Sequence, residues 1–139
     1  MRIVFDTTIA DSALLWRGPP RQLLDQIIEG SKIELYSSPI LLSELSDVLR
    51  RPKFARRVSD ASLTVDALLA DYIDLVSTVV PSPLTQRVSR DPDDGEVLAC
   101  AIAADADVIV SGDQDLLMLK TFRNIPIVTA TQMLGLIAG

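Results

Sequence analysis

The sequence predicts an α/β fold built on one parallel sheet with helices on both faces. Short apolar runs rich in branched residues recur at Arg2 to Phe5, Ile33 to Tyr36, Val76 to Val80, Val108 to Val110 and Ile125 to Val128. They are too brief for helices and lack the polar alternation of a half-exposed strand, so they read as buried strands. Between them lie segments whose apolar residues recur at helical spacing, and that alternation defines the class. A chain of 139 residues with 48% hydrophobic content suits one core. It shows no repeat and no linker, so residues 1–139 are expected to form a single domain.

The elements follow in order. Arg2 to Phe5 halts at Asp6, which places that carboxylate at a strand's carboxyl end. Gly18-Pro19-Pro20 opens a helix carrying Leu23, Leu24, Ile27 and Ile28, and Gly30 ends it. After the second strand, Ser38 is an N-cap with Pro39 at the first helical position. Leu41, Leu42, Leu45, Val48 and Leu49 form that helix's apolar stripe. A basic connector then leads to a helical pattern at Leu63, Leu68, Leu69, Tyr72 and Ile73, opened by Ser59 or Ser62. Val76 to Val80 is the third strand, and Pro81 and Pro83 mark a loop. A helix runs from Asp93 to about Ala104, Val108 to Val110 ends at Ser111-Gly112-Asp113, and Ile125 to Val128 precedes a last helix.

Composition removes several kinds of chemistry. With no histidine and one cysteine, Ser-His and Cys-His nucleophiles and ordinary zinc sites are excluded. Cys100 sits in Leu98-Ala99-Cys100-Ala101, a setting for a small buried apolar residue, so no intrachain disulfide and no redox role are expected. No apolar run reaches the roughly 18 residues of a membrane span, and Met1-Arg2-Ile3 enters a strand directly, which predicts a soluble cytoplasmic protein. Nineteen acids against 13 bases give a net charge of −6, which by itself argues against nucleic acid. The distribution is uneven: Arg50, Arg51, Lys53, Arg56 and Arg57 form a basic stretch, while acids crowd Asp91 to Asp94 and Asp105 to Asp115.

What remains is carboxylate chemistry. Ligands of open parallel sheets bind at the strands' carboxyl ends, and Asp6 and Asp113 each follow an apolar strand directly. Either could instead cap a following turn or helix. Glu44 lies about 40° from Val48 around its helix, at the edge of the apolar stripe, whereas Asp47 falls on the polar face. Asp93 and Glu96 have capping-box spacing, and Asp94 shares a face with Val97, Leu98 and Ala101. An inward carboxylate is costly unless compensated, and a hard divalent cation of the Mg²⁺ or Mn²⁺ type would compensate several together. Such a site can activate water against a phosphodiester.

The ordered set Asp6-Thr7-Thr8, Ser43-Glu44-Leu45, Asp91-Pro92-Asp93-Asp94 with Ala99-Cys100-Ala101, and Val110-Ser111-Gly112-Asp113-Gln114-Asp115-Leu116-Leu117 resembles the PIN-domain family. It is most similar to the branch of toxins in toxin–antitoxin systems related to VapC-like ribonucleases, in which Gly18-Pro19-Pro20 and Arg51-Pro52-Lys53-Phe54 are also familiar. The resemblance implies a three-layer α/β/α sandwich around a parallel sheet. It implies Asp6, Glu44, Asp94 and Asp113 as a catalytic and metal-binding quartet for Mg²⁺ or Mn²⁺, with Thr7, Thr8 and Asp115 supporting it. It further implies endoribonuclease activity on RNA, a homodimer, and a small DNA-binding antitoxin as partner. One departure is visible: Thr8 stands where the family usually has asparagine, which would weaken the orientation of Asp6 if the amide provides it.

Arg50, Arg51, Lys53, Arg56 and Arg57, with Arg87 and Arg90, are candidates to track an RNA backbone; the alternative is a solvated connector. Trp16 and Tyr36 read as packing residues. Two other functions compete with a nuclease. One is a catalytically weak module of the same fold that binds RNA or a protein. The other is a phosphoryl-transfer domain with Asp6 as nucleophile, which the sequence disfavours because Asp6-Thr7-Thr8 lacks a second aspartate.

Overall fold

The computed structural model describes residues 1–30, 32–60, 63–84 and 94–138. Their elements run β1 (Arg2–Phe5), α1 (Thr7–Leu15), α2 (Pro19–Ile28), β2 (Glu34–Ser37), α3 (Pro39–Leu49), α4 (Pro52–Asp60), α5 (Val65–Leu75) and β3 (Ser77–Thr78). After these come α6 (Asp94–Ala103), β4 (Val108–Val110), α7 (Gln114–Leu119), β5 (Thr121–Phe122), β6 (Ile125–Val128) and α8 (Ala130–Ala138).

The strands form one sheet in the order β3-β2-β1-β4-β6-β5. All pairings are parallel except β5 with β6. The expected parallel sheet therefore carries one antiparallel edge. Arg123 and Asn124, both at positive φ (49° and 67°), close that hairpin by placing Phe122 opposite Ile125. Two successive left-handed residues give a turn whose twist matches the strands. Pro126, which cannot donate to a ladder, pairs with Thr121 on this short edge ribbon.

Helices cover both faces of the sheet, and its residues feed two clusters. One joins Ile3, Phe5, Val108 and Val110 to α1, α2, α3, α5 and α8. The other joins Val4 and Ile109 to Val97, Leu98, Cys100, Ala101 and Leu116. Alternate residues of β1 and β4 thus face opposite layers, as the two-residue period of a strand requires.

Several expectations need correction. Thr7 to Leu15 and Gln114 to Leu119 are helices that follow their acids directly. The basic stretch is no connector: Pro52 to Asp60 is helical, with Phe54 packed on the core and Val58 buried. Helix α5 is capped by Thr64, whose side chain accepts from the Ala67 N–H, whereas Ser59 lies inside α4 and Ser62 lies outside the described residues. The third strand shortens to Ser77–Thr78. Ile28, Leu63 and Ile73, counted above among apolar stripes, are exposed.

Candidate functional site

The register of the two central strands sets the site. Phe5 pairs with Val110, so Asp6 and Ser111 emerge side by side at the carboxyl edge, and the Asp6 N–H donates to the Val110 carbonyl at 3.1 Å. Both acids expected at strand ends also start a helix. Asp6 caps α1 by accepting from the Ile9 N–H at 3.0 Å, and Asp113 caps α7 by accepting from the Asp115 N–H at 2.8 Å. The capping and site alternatives thus coexist at one side chain.

Asp6 is 3% exposed and densely held. Its Oδ1 accepts from Ile9 N and from Thr8 Oγ1 at 2.6 Å, and its Oδ2 accepts from the buried Ser111 hydroxyl. Among the described residues, three donors occupy three of a carboxylate's roughly four acceptor positions. Burial pushes the Asp6 carboxyl above its ordinary range; the Ser111, Thr8 and Ile9 hydrogen bonds oppose this, and the neighbouring Asp113 adds to it.

Ser111 and Thr8 tie the two strand ends together. The Ser111 oxygen accepts from the Asp113 N–H at 2.9 Å while its proton goes to Asp6. Thr8 donates to Asp6 and accepts from the Gly112 N–H at 3.2 Å. A Cβ at Gly112 would lie 3.2 Å from Thr8 Oγ1, so glycine is what lets this loop approach α1 so closely. The threonine found where an asparagine was expected therefore orients Asp6 through its hydroxyl.

A cleft of about 550 Å³ opens over these residues, lined by Asp6, Thr7, Thr8, Glu44, Asp94 and Asp113 among others. All four acids of the expected quartet face it. Thr7 donates to Glu44 Oε2 at 3.2 Å, which joins α1 to α3 across the cleft. Asp94 is buried at the start of α6. Asp91, Asp93, Arg87 and Arg90 lie outside the described residues.

Three acids are close enough to share an ion: Asp94, Asp113 and Asp115 each offer a carboxylate oxygen, all within 4.8 Å of one another. Opposite ligands of Mg²⁺ stand ~4.2 Å apart at bond lengths of about 2.1 Å, so a trio at this spacing could supply part of an octahedral shell, with water filling the rest. The donors are all hard oxygens, which suits Mg²⁺ or Mn²⁺. This trio brings Asp115 as near the centre as two members of the quartet.

The basic stretch divides. Arg50 pairs with Asp66 at 2.5 Å, and Arg56 faces Asp60 at 3.8 Å. Arg57 donates to the Leu15 carbonyl at 2.5 Å and lies 5.1 Å from the Trp16 ring centre, latching α4 onto the end of α1. Arg51 and Lys53 line the cleft.

Asp11, Asp47 and Phe54 also line it and were not anticipated. Asp11 is one helical turn beyond Thr7, a relation visible once α1 is recognised. Its carboxyl is pushed up by burial, with Ser12 opposing, Asp6 adding and Lys53 opposing. Asp47, assigned above to the polar face, is exposed yet reaches the cleft rim. Ser111 was passed over because a serine between a strand and a glycine carries no distinctive pattern.

A mostly parallel sheet between helical layers, with acids gathered at the carboxyl ends of its central strands, defines an α/β protein whose ligand site lies at the strand edge. The chain belongs to the PIN domain family, whose model matches residues 2–115. An uncharacterized protein of Methanocaldococcus jannaschii is 31% identical over 121 residues, covering 86% of this chain and 76% of that protein. The fold is similar to VapBC2 from Rickettsia felis, solved bound to a DNA fragment from their promoter. That match has a TM-score of 0.61 and 15% identity, covering 91% of this chain and 97% of the other. Among the described residues no helix is long and apolar enough to cross a membrane.

Proposed function

We propose that this chain is a divalent-metal-dependent endoribonuclease, the toxin of a toxin–antitoxin pair. The observation that carries the reading is the cleft that Asp6, Glu44, Asp94 and Asp113 line together. Asp115 joins them through its proximity to Asp94 and Asp113. PIN family membership and the fold shared with a VapBC2 complex support the same reading and a small antitoxin partner; a homodimer is part of the proposal.

A bound Mg²⁺ or Mn²⁺ would lower the pKa of water and neutralise charge on a phosphodiester. The chain's own contribution is placement. Thr8, Ser111 and the Ile9 N–H fix the Asp6 carboxylate where it lines the cleft. Thr7 steadies Glu44 across the cleft, and the Ser111 and Thr8 bridges hold Asp6 and Asp113 at a set separation. Arg51 and Lys53 on the opposite wall would hold the RNA phosphates. No step requires histidine, which the chain lacks.

The test incubates purified protein with single-stranded and structured RNA in Mg²⁺, Mn²⁺ or EDTA, beside Asp6→Asn and Asp94→Asn. Cleavage is expected with either metal, and loss of about a hundredfold or more in EDTA or in either variant. Cleavage that persists in EDTA, or in both variants, would overturn the assignment.

A further inference from the structure

We propose that Phe54 is a stacking platform for one unpaired RNA base and that Arg51 and Lys53 hold the phosphates beside it. The identity of the ligand as RNA rests on the ribonuclease reading above; the platform itself rests on the composition of the cleft wall.

That wall differs from the acidic floor. Along the end of α3 and the start of α4, the cleft is lined by Asp47, Val48, Arg51, Lys53 and Phe54, with two cations against one acid. Phe54 is half-buried: one side packs on the core cluster and the other lines the cleft. Its ring is anchored by that core packing, and Arg57, one turn further along α4, latches the helix itself to Leu15 and Trp16. A ring anchored in this way loses little freedom when a planar group lies against it.

The cations beside it are available. Arg50, Arg56 and Arg57 are engaged within the protein, by Asp66, by Asp60 and by the Leu15 carbonyl respectively. Among the described residues, Arg51 and Lys53 form no ion pair. The Lys53 ammonium instead lies over the Phe54 ring, 5.0 Å from its centre, and acts on the Asp11 carboxyl, so it must swing aside toward a phosphate for a base to stack on that face. Two cations and an aromatic ring lining one cleft match a ligand that alternates phosphate with planar base, the pattern of single-strand recognition.

The geometry also selects against a duplex. A cleft of about 550 Å³ lies within the roughly 300–1,000 Å³ of small-ligand sites. To stack on a wall inside it, a base must leave its own helix, because paired bases present edges rather than faces. A loop, bulge or single strand supplies such a base without unpairing.

Binding of RNA oligonucleotides carrying 2-aminopurine tests the proposal, in EDTA so that cleavage does not interfere. The wild-type chain should quench the fluorophore in a single strand and leave the emission of the matching duplex unchanged. Phe54→Leu should lose the quenching and bind the single strand about fivefold or more weakly, whereas Phe54→Trp should retain both. Arg51→Met and Lys53→Met should each weaken binding and reduce the salt slope by about one. Circular dichroism of each variant establishes that it is folded, and Phe54→Trp controls for packing.

Unchanged quenching and affinity in folded Phe54→Leu would overturn the proposal, as would equal quenching of the duplex. Metal-dependent cleavage with no dependence of binding on Phe54 would sink this inference and leave the nuclease standing. Phe54-dependent binding without cleavage in any metal would uphold the platform and sink the nuclease.

Discussion

Replacing Ser111 by alanine removes a buried hydroxyl that is 0% exposed and serves two strand ends at once. It donates to Asp6 Oδ2 and accepts from the Asp113 N–H at 2.9 Å. A hydrogen bond to a charged group is worth about 1.5–3 kcal/mol, and a part-buried N–H left without an acceptor costs about 1 kcal/mol more. The expected loss near neutral pH is therefore about 2–4 kcal/mol, a large share of the roughly 5–15 kcal/mol that holds a domain together. Urea unfolding in EDTA should show the midpoint falling with little change in slope. Mg²⁺ should then stabilise the variant less than the wild type, because a supporting hydrogen bond of this kind commonly matters tenfold or more in metal affinity. A loss below about 0.5 kcal/mol, the range of an ordinary surface substitution, would refute the claim that Ser111 holds Asp6. So would an undiminished response to Mg²⁺.

Asp6→Asn should behave in the opposite way. Burial raises the Asp6 carboxyl above 3.8 in the native state, so the native chain binds a proton more tightly than the unfolded one. Metal-free stability consequently falls as pH rises from 3.8 through the raised native value, and the penalty is complete above it. The asparagine variant should be at least as stable as wild type in EDTA near neutral pH, with a flatter pH dependence in thermal melts; an equal slope in both proteins would count against this. Cys100, whose thiol burial pushes up to about 12 against an opposing Ser38 hydrogen bond, should resist iodoacetamide until the chain unfolds. Rapid labelling of the native protein would contradict that burial. Arg57→Ala should cost about 1 kcal/mol or more and shift the emission of Trp16, the sole tryptophan, because the latch on Leu15 is lost. Arg56→Ala, which removes only an exposed pair, should change stability by less than about 0.5 kcal/mol and leave the emission unchanged.

The alternation of buried strands and amphipathic helices was legible because strands covered on both faces leave uninterrupted apolar runs, as in Ile3-Val4-Phe5 and Val108-Ile109-Val110. Two of the helices that escaped notice share one cause. Thr7 to Leu15 and Gln114 to Leu119 begin immediately after Asp6 and Asp113, and each acid was weighed as cap or ligand when it is placed to be both. Helix α4 escaped for another reason: with Phe54 and Val58 as its inward residues, it has too narrow a stripe to register against Lys53, Arg56 and Arg57. The edge hairpin was signalled by Asn124, which tolerates positive φ, but Arg123 beside it gave no such sign.

The site was legible to a similar depth. Asp6, Asp94 and Asp113 were placed by strand ends and helix facing, whereas Glu44, at the edge of a stripe, leaned more on the family resemblance. All four face the cleft. Ser111, Asp11 and Phe54 were not legible, because their importance lies in contacts between segments far apart in the chain. Asp6 meets Ser111 across 105 residues, and no local pattern announces such a meeting.

A metal ion among these carboxylates is the central claim, and its most direct test is anomalous diffraction from a crystal grown with Mn²⁺. The account predicts an anomalous peak in the cleft, ligated by carboxylates from Asp6, Glu44, Asp94, Asp113 or Asp115 and lost in Asp94→Asn. A saturating Mn²⁺ concentration that leaves the cleft without a peak, or a peak that survives that substitution unchanged, would contradict it.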